Sequence, residues 1–280
     1  MKRRLISMVF VLGLCAAFGA CAADKPAGST TGTAAGSTTA AMTATTETAV
    51  VTTAQTFTFR VNADMPEYTC TATVLDDGFG TPTTTGIVIT DSASGAVLQT
   101  IVPPDGNYVF TKAAVYFLDV TFDGNLDSVI PIQNPAHYTS FDAYIWDGNA
   151  KQFVEAPSFM DVMCPVVDAE KKQFLSSMLT GLGGVSYGKF VFQNGAFVQT
   201  NCFTYTLASQ EGDAVANADT TYHYVETSGT AQTVVKDFYV QLNDDGTMDE
   251  NNAQLKPYFA AGSFWDLNSP QWQEMFYEIK

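Results

Sequence analysis

The sequence predicts an all-β fold: an antiparallel meander or a propeller-like set of repeated hairpins, closed by a short C-terminal helix. Three observations carry that expectation. From Phe57 onward, short runs rich in Val, Ile, Thr, Phe and Tyr alternate large apolar with polar residues, the period of a half-buried strand. Clusters of Asp, Asn, Gly, Pro and Ser separate these runs with the residues that tight turns require. Finally, Tyr144-Ile-Trp-Asp-Gly-Asn-Ala-Lys-Gln-Phe153-Val and Phe190-Val-Phe-Gln-Asn-Gly-Ala-Phe197-Val share an aromatic strand, a glycine turn and a returning Phe-Val. Two hairpins of one type suggest repeated units.

In chain order, Lys2, Arg3 and Arg4 precede the apolar run Leu5 to Phe18, then Gly19, Ala20 and Cys21. The run is too short to cross a bilayer and reads as a secretory signal peptide over residues 1–20. Phe18-Gly-Ala-Cys21 resembles the lipobox of bacterial lipoproteins, which makes Cys21 the expected lipidation site and places the chain outside the cytoplasm, held to the envelope by lipid alone. Residues 21–55 are dominated by Thr, Ala, Ser and Gly, which bury too little surface to offset the entropy of ordering; they are expected to form a flexible tether. Residues 56–280 remain as one all-β binding domain.

Within that domain, Phe57 to Val61, Tyr68 to Leu75, Gly86 to Thr90 and Ala96 to Ile101 read as successive strands. Asp168 to Leu179 has helix-compatible composition, but its flanking turn residues favour a strand over Gln173 to Met178. Tyr222 to Thr227 and Thr233 to Leu242 continue the pattern. At the C-terminus, Ser269 and Pro270 suit an N-cap and first helical position, and Trp272, Met275, Phe276 and Ile279 share one helical face.

The chemically specific stretch is Val115 to Ile132, where Asp119, Asp123 and Asp127 recur at intervals of four between two strand-like runs. Like charges this close repel unless a cation or a solvated turn relieves them. The alternate positions Asp119, Thr121, Asp123, Asn125 and Asp127, with Gly124 at the bend, predict a calcium site. Asn243 to Asp249 repeats the pattern partially and reads as a solvated turn.

The chain carries a formal charge of −16; the signal removes three cations and no anions, which leaves −19. Nucleic acid is excluded as a partner, since binding it takes Lys and Arg patches and Arg60 is the one arginine beyond the signal. A basic protein fits better. Of the cysteines beyond Cys21, the pair Cys164 and Cys202 is the expected disulfide, permitted outside the cytoplasm, with Cys70 buried. Gly184-Val-Ser186-Tyr-Gly188 matches the serine-hydrolase elbow, with Asp219 and His223 downstream and His137 as the other histidine. However, the residues after Ser186 read as a strand where the elbow needs a helix. A carboxylate pair would serve a glycosidase, and exposed tryptophans would serve a glycan-binding or solute-binding adhesin; no spacing selects either.

From Val115 to Thr206, the aspartate loop, the aromatic hairpin, Cys164-Pro-Val-Val-Asp-Ala-Glu-Lys-Lys172, the Gly-rich stretch and the second hairpin resemble bacterial envelope proteins with FG-GAP or VCBS-type repeats. They resemble especially the periplasmic immunity lipoproteins that inhibit lysozyme-like effectors of type IV secretion. That resemblance implies a calcium-stabilised protein-binding module without enzymatic activity of its own, an inhibitor of a basic cell-wall hydrolase. The competing reading is a surface serine or glycoside hydrolase.

Overall fold

The computed structural model describes residues 51–76, 78, 82–104, 113–134, 138–181, 184–212, 217–243, 252–261, 263 and 265–267. Among them, fourteen strands form three antiparallel sheets, each a meander in which sequence neighbours pair. The first sheet holds β1 (Val51–Arg60), β2 (Glu67–Asp76), β3 (Thr83–Asp91) and β4 (Val97–Ile101). The second holds β5 (Tyr116–Leu118), β6 (Asp127–Asn134), β7 (Tyr138–Asp147) and β8 (Gln152–Glu155). The third holds β9 (Val166–Asp168), β10 (Gln173–Gly181), β11 (Gly184–Gln193), β12 (Ala196–Leu207), β13 (Thr221–Ser228) and β14 (Thr233–Gln241). Among the described residues helical structure is limited to single turns, including α1 (Ala208–Glu211) and α2 (Lys256–Phe259).

Alternation sets the packing. In β2, Tyr68, Cys70, Ala72 and Val74 are buried while their neighbours are not, so one face of the first sheet is apolar. That face meets Ile130, Trp146 and Phe153 of the second sheet in one core, where the Phe59 and Phe117 rings stack with centroids 3.8 Å apart. The second core joins Val129 and Phe141 of the second sheet to Phe174, Phe190 and Phe197 of the third, through Phe159 on a 3-10 turn. In the third sheet the register aligns Tyr205, Tyr224 and Phe238 across three strands. The third core seats Leu255, Tyr258 and Trp265 against this aromatic row. The Gln99 side chain donates to Phe153 O and accepts from Phe153 N, both at 2.8 Å, and so stands in for a strand pair between β4 and β8.

One sequence expectation shifts and an ambiguous one is resolved as read. The strand begins at Val51, within the stretch assigned to the tether, because Val51 to Gln55 pair in register with Ala72 to Asp76. Residues 173–181 form a strand, so sheet pairing on both sides decided the ambiguous segment. The expected helix over residues 269–279 and the second acidic turn over residues 244–249 lie outside the described residues, as do Cys21 and the signal and tether up to residue 50.

Candidate functional site

The aspartate loop runs from β5 to β6, and its carboxylates are turned inward onto the backbone. Asp119 accepts the N–H of Asp123 at 3.0 Å and of Gly124 at 2.9 Å, while Asp123 accepts that of Asn125 at 2.8 Å. Gly124 sits at φ +91°, where a side chain would be strained. Asp127 is completely buried: one oxygen accepts the N–H groups of Val120 and Thr121 at 3.0 and 3.2 Å, and the other accepts that of Trp146 at 2.9 Å. Burial pushes its carboxyl up to about 7, against the pull of these donors.

The loop is also a junction. Asn62 Nδ2 donates to Asn125 Oδ1 at 2.6 Å, Leu126 N to Val61 O at 2.7 Å, and Lys172 Nζ to Phe122 O at 3.3 Å. The connection after β1 and the turn between β9 and β10 thereby converge on it.

This geometry does not fit the expected calcium set. Calcium takes six to eight oxygens aimed at one point, whereas Asp127 and Asp119 spend their oxygens on N–H donors and Asn125 faces Asn62. Among the described residues no three His, Cys, Asp or Glu side chains converge to hold a metal ion. The backbone amides relieve part of the repulsion read from the sequence. Ca²⁺ at a hundredfold excess over its dissociation constant would contribute about 2.7 kcal/mol, a melting shift of roughly 5–10 °C for a domain of this size. Adding a chelator to calcium-equilibrated protein is expected to leave the melting temperature unchanged; a fall of that size would overturn the assignment.

The hydrolase constellation is not assembled. Ser186 lies mid-strand on β11 opposite Thr204, its Oγ 3.1 Å from Thr204 Oγ1 and 3.2 Å from Cys202 Sγ. His223 is two strands away on β13, roughly 10 Å across the sheet at the usual strand spacing. Its Nδ1 lies 2.5 Å from Glu211 and its Nε2 2.9 Å from Asp237, and the ring stacks on Tyr239 at 4.4 Å. Burial opposes its protonation, but the hydrogen bonds and charges of both carboxylates outweigh that and raise its pKa. Both ring nitrogens are engaged by carboxylates, so neither is turned toward Ser186. Asp219, on the 3-10 turn before β13, is not among these carboxylate partners, and His137 lies outside the described residues.

No disulfide joins Cys164 and Cys202. Cys164 is buried on the turn before β9, where its N–H donates to Thr139 O at 2.7 Å. The thiol of Cys202 stands in the hydroxyl row of the third sheet.

What the fold does bring together are the two echoing hairpins. The end of β7–β8 and the end of β11–β12 enclose an open cleft of about 420 Å³, lined by Ile145, Trp146, Asp147, Val154, Glu155 and Phe192 among others. Asp147 Oδ1 accepts the N–H groups of Asn149 and Ala150 at 2.8 and 3.1 Å, which fixes its carboxylate at the turn. Across the cleft, Asn194 and Gly195 take φ of +52° and +79°, the left-handed pair of a type I′ turn. Val154 is 45 % exposed beside the exposed Glu155. The sequence marked both hairpins, yet it did not single out Val154, Glu155 or Phe192, because nothing in it says the hairpins are neighbours. Trp146 and Trp265 are 5 % and 3 % exposed, too enclosed to stack on a sugar ring.

No protein-family model matches the chain. No curated protein matches it either. Among solved structures, a Xanthomonas type IV secretion system related protein shares 15% identity over 68% of this chain and 95% of that one, with a TM-score of 0.37. A protein of unknown function from Bacteroides fragilis NCTC 9343 shares 8% identity over 67% of this chain and 91% of that one, with a TM-score of 0.21.

Proposed function

We propose that this chain is a lipid-anchored envelope protein that acts by occupying a basic protein, a cell-wall hydrolase, through the face that carries the hairpin cleft. The observation that carries the reading is the cleft itself: an open concavity in which Ile145, Val154 and Phe192 meet beside the Asp147 turn, at the ends of two hairpins. Binding sites favour loop ends held by a scaffold, and exposed apolar surface beside charge is what a partner can cover. The charge of the chain, −16 before the signal is lost, speeds encounter with a cationic partner, while the cleft gives the contact its place. Cys21 would supply the membrane attachment, and the residues before Val51 the reach.

The test uses the mature full chain as bait in envelope extract, followed by a peptidoglycan-hydrolysis assay of what it retains. Wild type is expected to retain a basic protein and inhibit it. Val154→Lys is expected to weaken the complex about tenfold, or roughly 1.4 kcal/mol. Retention of no protein, together with ester or glycoside turnover that disappears in Ser186→Ala or a carboxylate variant, would reverse the reading.

A further inference from the structure

We infer that the outer face of the first sheet is a self-association surface, on which a second copy of this chain docks. It lies apart from the hairpin cleft, and the inference does not rest on the reading above. Register defines the face. Phe59, Tyr68, Cys70 and Ile89 turn into the core, so the residues between them along each strand turn outward. One outward row runs across β1 to β4 as Thr58, Thr69, Thr90 and Val97. The next row is Thr56, Thr71, Val88 and Thr100. The outer members Thr56, Thr58, Val97 and Thr100 are exposed, and neither row contains an ionisable side chain. Arg60 and Glu67 stand opposite each other in the row beyond Thr58, 3.9 Å apart, and offset one another.

Charge, hydroxyl chemistry and size select a second copy as the occupant. The chain carries −16, so two copies repel wherever acids face each other, and on this face they meet without opposing any. A basic partner would be drawn to carboxylates, which both rows lack. The Thr69 and Thr90 hydroxyls are spent within the sheet, on Ser92 Oγ at 2.8 Å and Thr69 O at 3.4 Å. Those of Thr56, Thr58, Thr71 and Thr100 have no partner among the described residues. A hydroxyl both donates and accepts, so a hydroxyl face is its own complement, as a two-fold contact requires. The threonine methyls, Val88 and Val97 add apolar area between the hydroxyls. A neutral glycan would want aromatic rings to stack on, and neither row holds one. Strand spacing and rise give a footprint of roughly 20 by 20 Å per copy. Two copies stacked on it cover on the order of 1,000 Å² of accessible surface, the size of a weak, reversible interface.

The test uses residues 21–280 carrying Cys21→Ser, which keeps the chain in solution without lipid. Sedimentation equilibrium is expected to show a reversible monomer–dimer equilibrium. Thr71→Glu, at the centre of the face, sets like charges against each other and is expected to lower dimer affinity about tenfold or more. Thr100→Glu is expected to act in the same direction, and both variants to keep the wild-type melting temperature. Thr71→Cys places a thiol on the face for a short bismaleimide, with Ala169→Cys, exposed on the turn between β9 and β10, as the control. A cross-linked dimer is expected from Thr71→Cys and not from Ala169→Cys. A chain that stays monomeric at every concentration would overturn the inference. So would a dimer that both glutamate substitutions leave intact, or one that Ala169→Cys traps as well as Thr71→Cys. Repeated in envelope extract, cross-linking of Thr71→Cys to a protein of another mass in preference to its own copy would give the face to a different partner and likewise overturn it.

Discussion

Replacing Asp127 by alanine is expected to cost about 2–4 kcal/mol of stability, because it strands the buried Trp146 N–H and takes an acceptor from the N–H groups of Val120 and Thr121 at the junction of the sheets. Each of those donors, from Val120, Thr121 and Trp146, has a carboxylate oxygen of Asp127 as partner, and Val120 N also donates to Leu118 O at 3.1 Å. Asp127→Asn should cost less, since it keeps one acceptor while turning its amide toward donors on the other side. The pH dependence has a definite sign. The folded pKa is raised to about 7 from the ordinary 3.8, so this group's contribution is present in full below about pH 4 and lost as the pH rises through 7. Chemical denaturation across that range should show wild type losing stability relative to Asp127→Asn, by up to a few kcal/mol. An Asp127→Ala loss below about 1 kcal/mol would mean the loop closes without this carboxylate.

Glu226→Ala is expected to cost about 3 kcal/mol and to loosen one segment before the rest. Glu226 is a buried acid on the aromatic side of β13, where it accepts Tyr258 Oη–H at 2.6 Å and Trp265 Nε1–H at 3.0 Å, with Lys236 Nζ 3.5 Å away. Those two donors lie on the segment after α2 begins, so the carboxylate pins that segment to the sheet. Lys189, buried with its ammonium over the Trp265 ring at 4.9 Å, depends on the same charge; burial and Lys171 pull its pKa down to about 8, against the pull of Asp168 and Glu226. Removing Glu226 therefore leaves a phenol, an indole N–H and a cation short of their acceptor. Hydrogen exchange should show residues 255–267 losing protection while β11 to β13 keep theirs. Uniform loss would indicate that the acid serves the whole sheet, and no loss that the apolar contacts of Leu255 and Trp265 suffice.

Much of the strand order was legible because it is local. Period-two alternation and turn residues act between near neighbours in the chain, so Tyr68 to Leu75, the hairpin after Tyr144 and the one after Phe190 could be read directly. The aspartate loop was legible as the point of organisation, yet its hydrogen-bond partners were not. Carboxylates at alternate positions satisfy a cation or backbone amides equally well on paper, and Asp127 takes the N–H of Trp146, nineteen residues on. Cysteine pairing failed for a related reason: strand-like contexts for Cys164 and Cys202 carry no information about which sheet each joins.

By itself the sequence determined the all-β class, the hairpins with their turn residues and the acidic charge, since each follows from composition or from residues a few positions apart. Tertiary structure decided what depends on distance in space. It set Asp127 as a buried clamp, gave His223 to Glu211 and Asp237 instead of Ser186, and placed Ile145 and Val154 across a cleft from Phe192. The physical reason is that burial and hydrogen-bond partners are properties of the packed neighbourhood. A side chain's residue type fixes what it can donate or accept, and only the fold fixes what stands opposite.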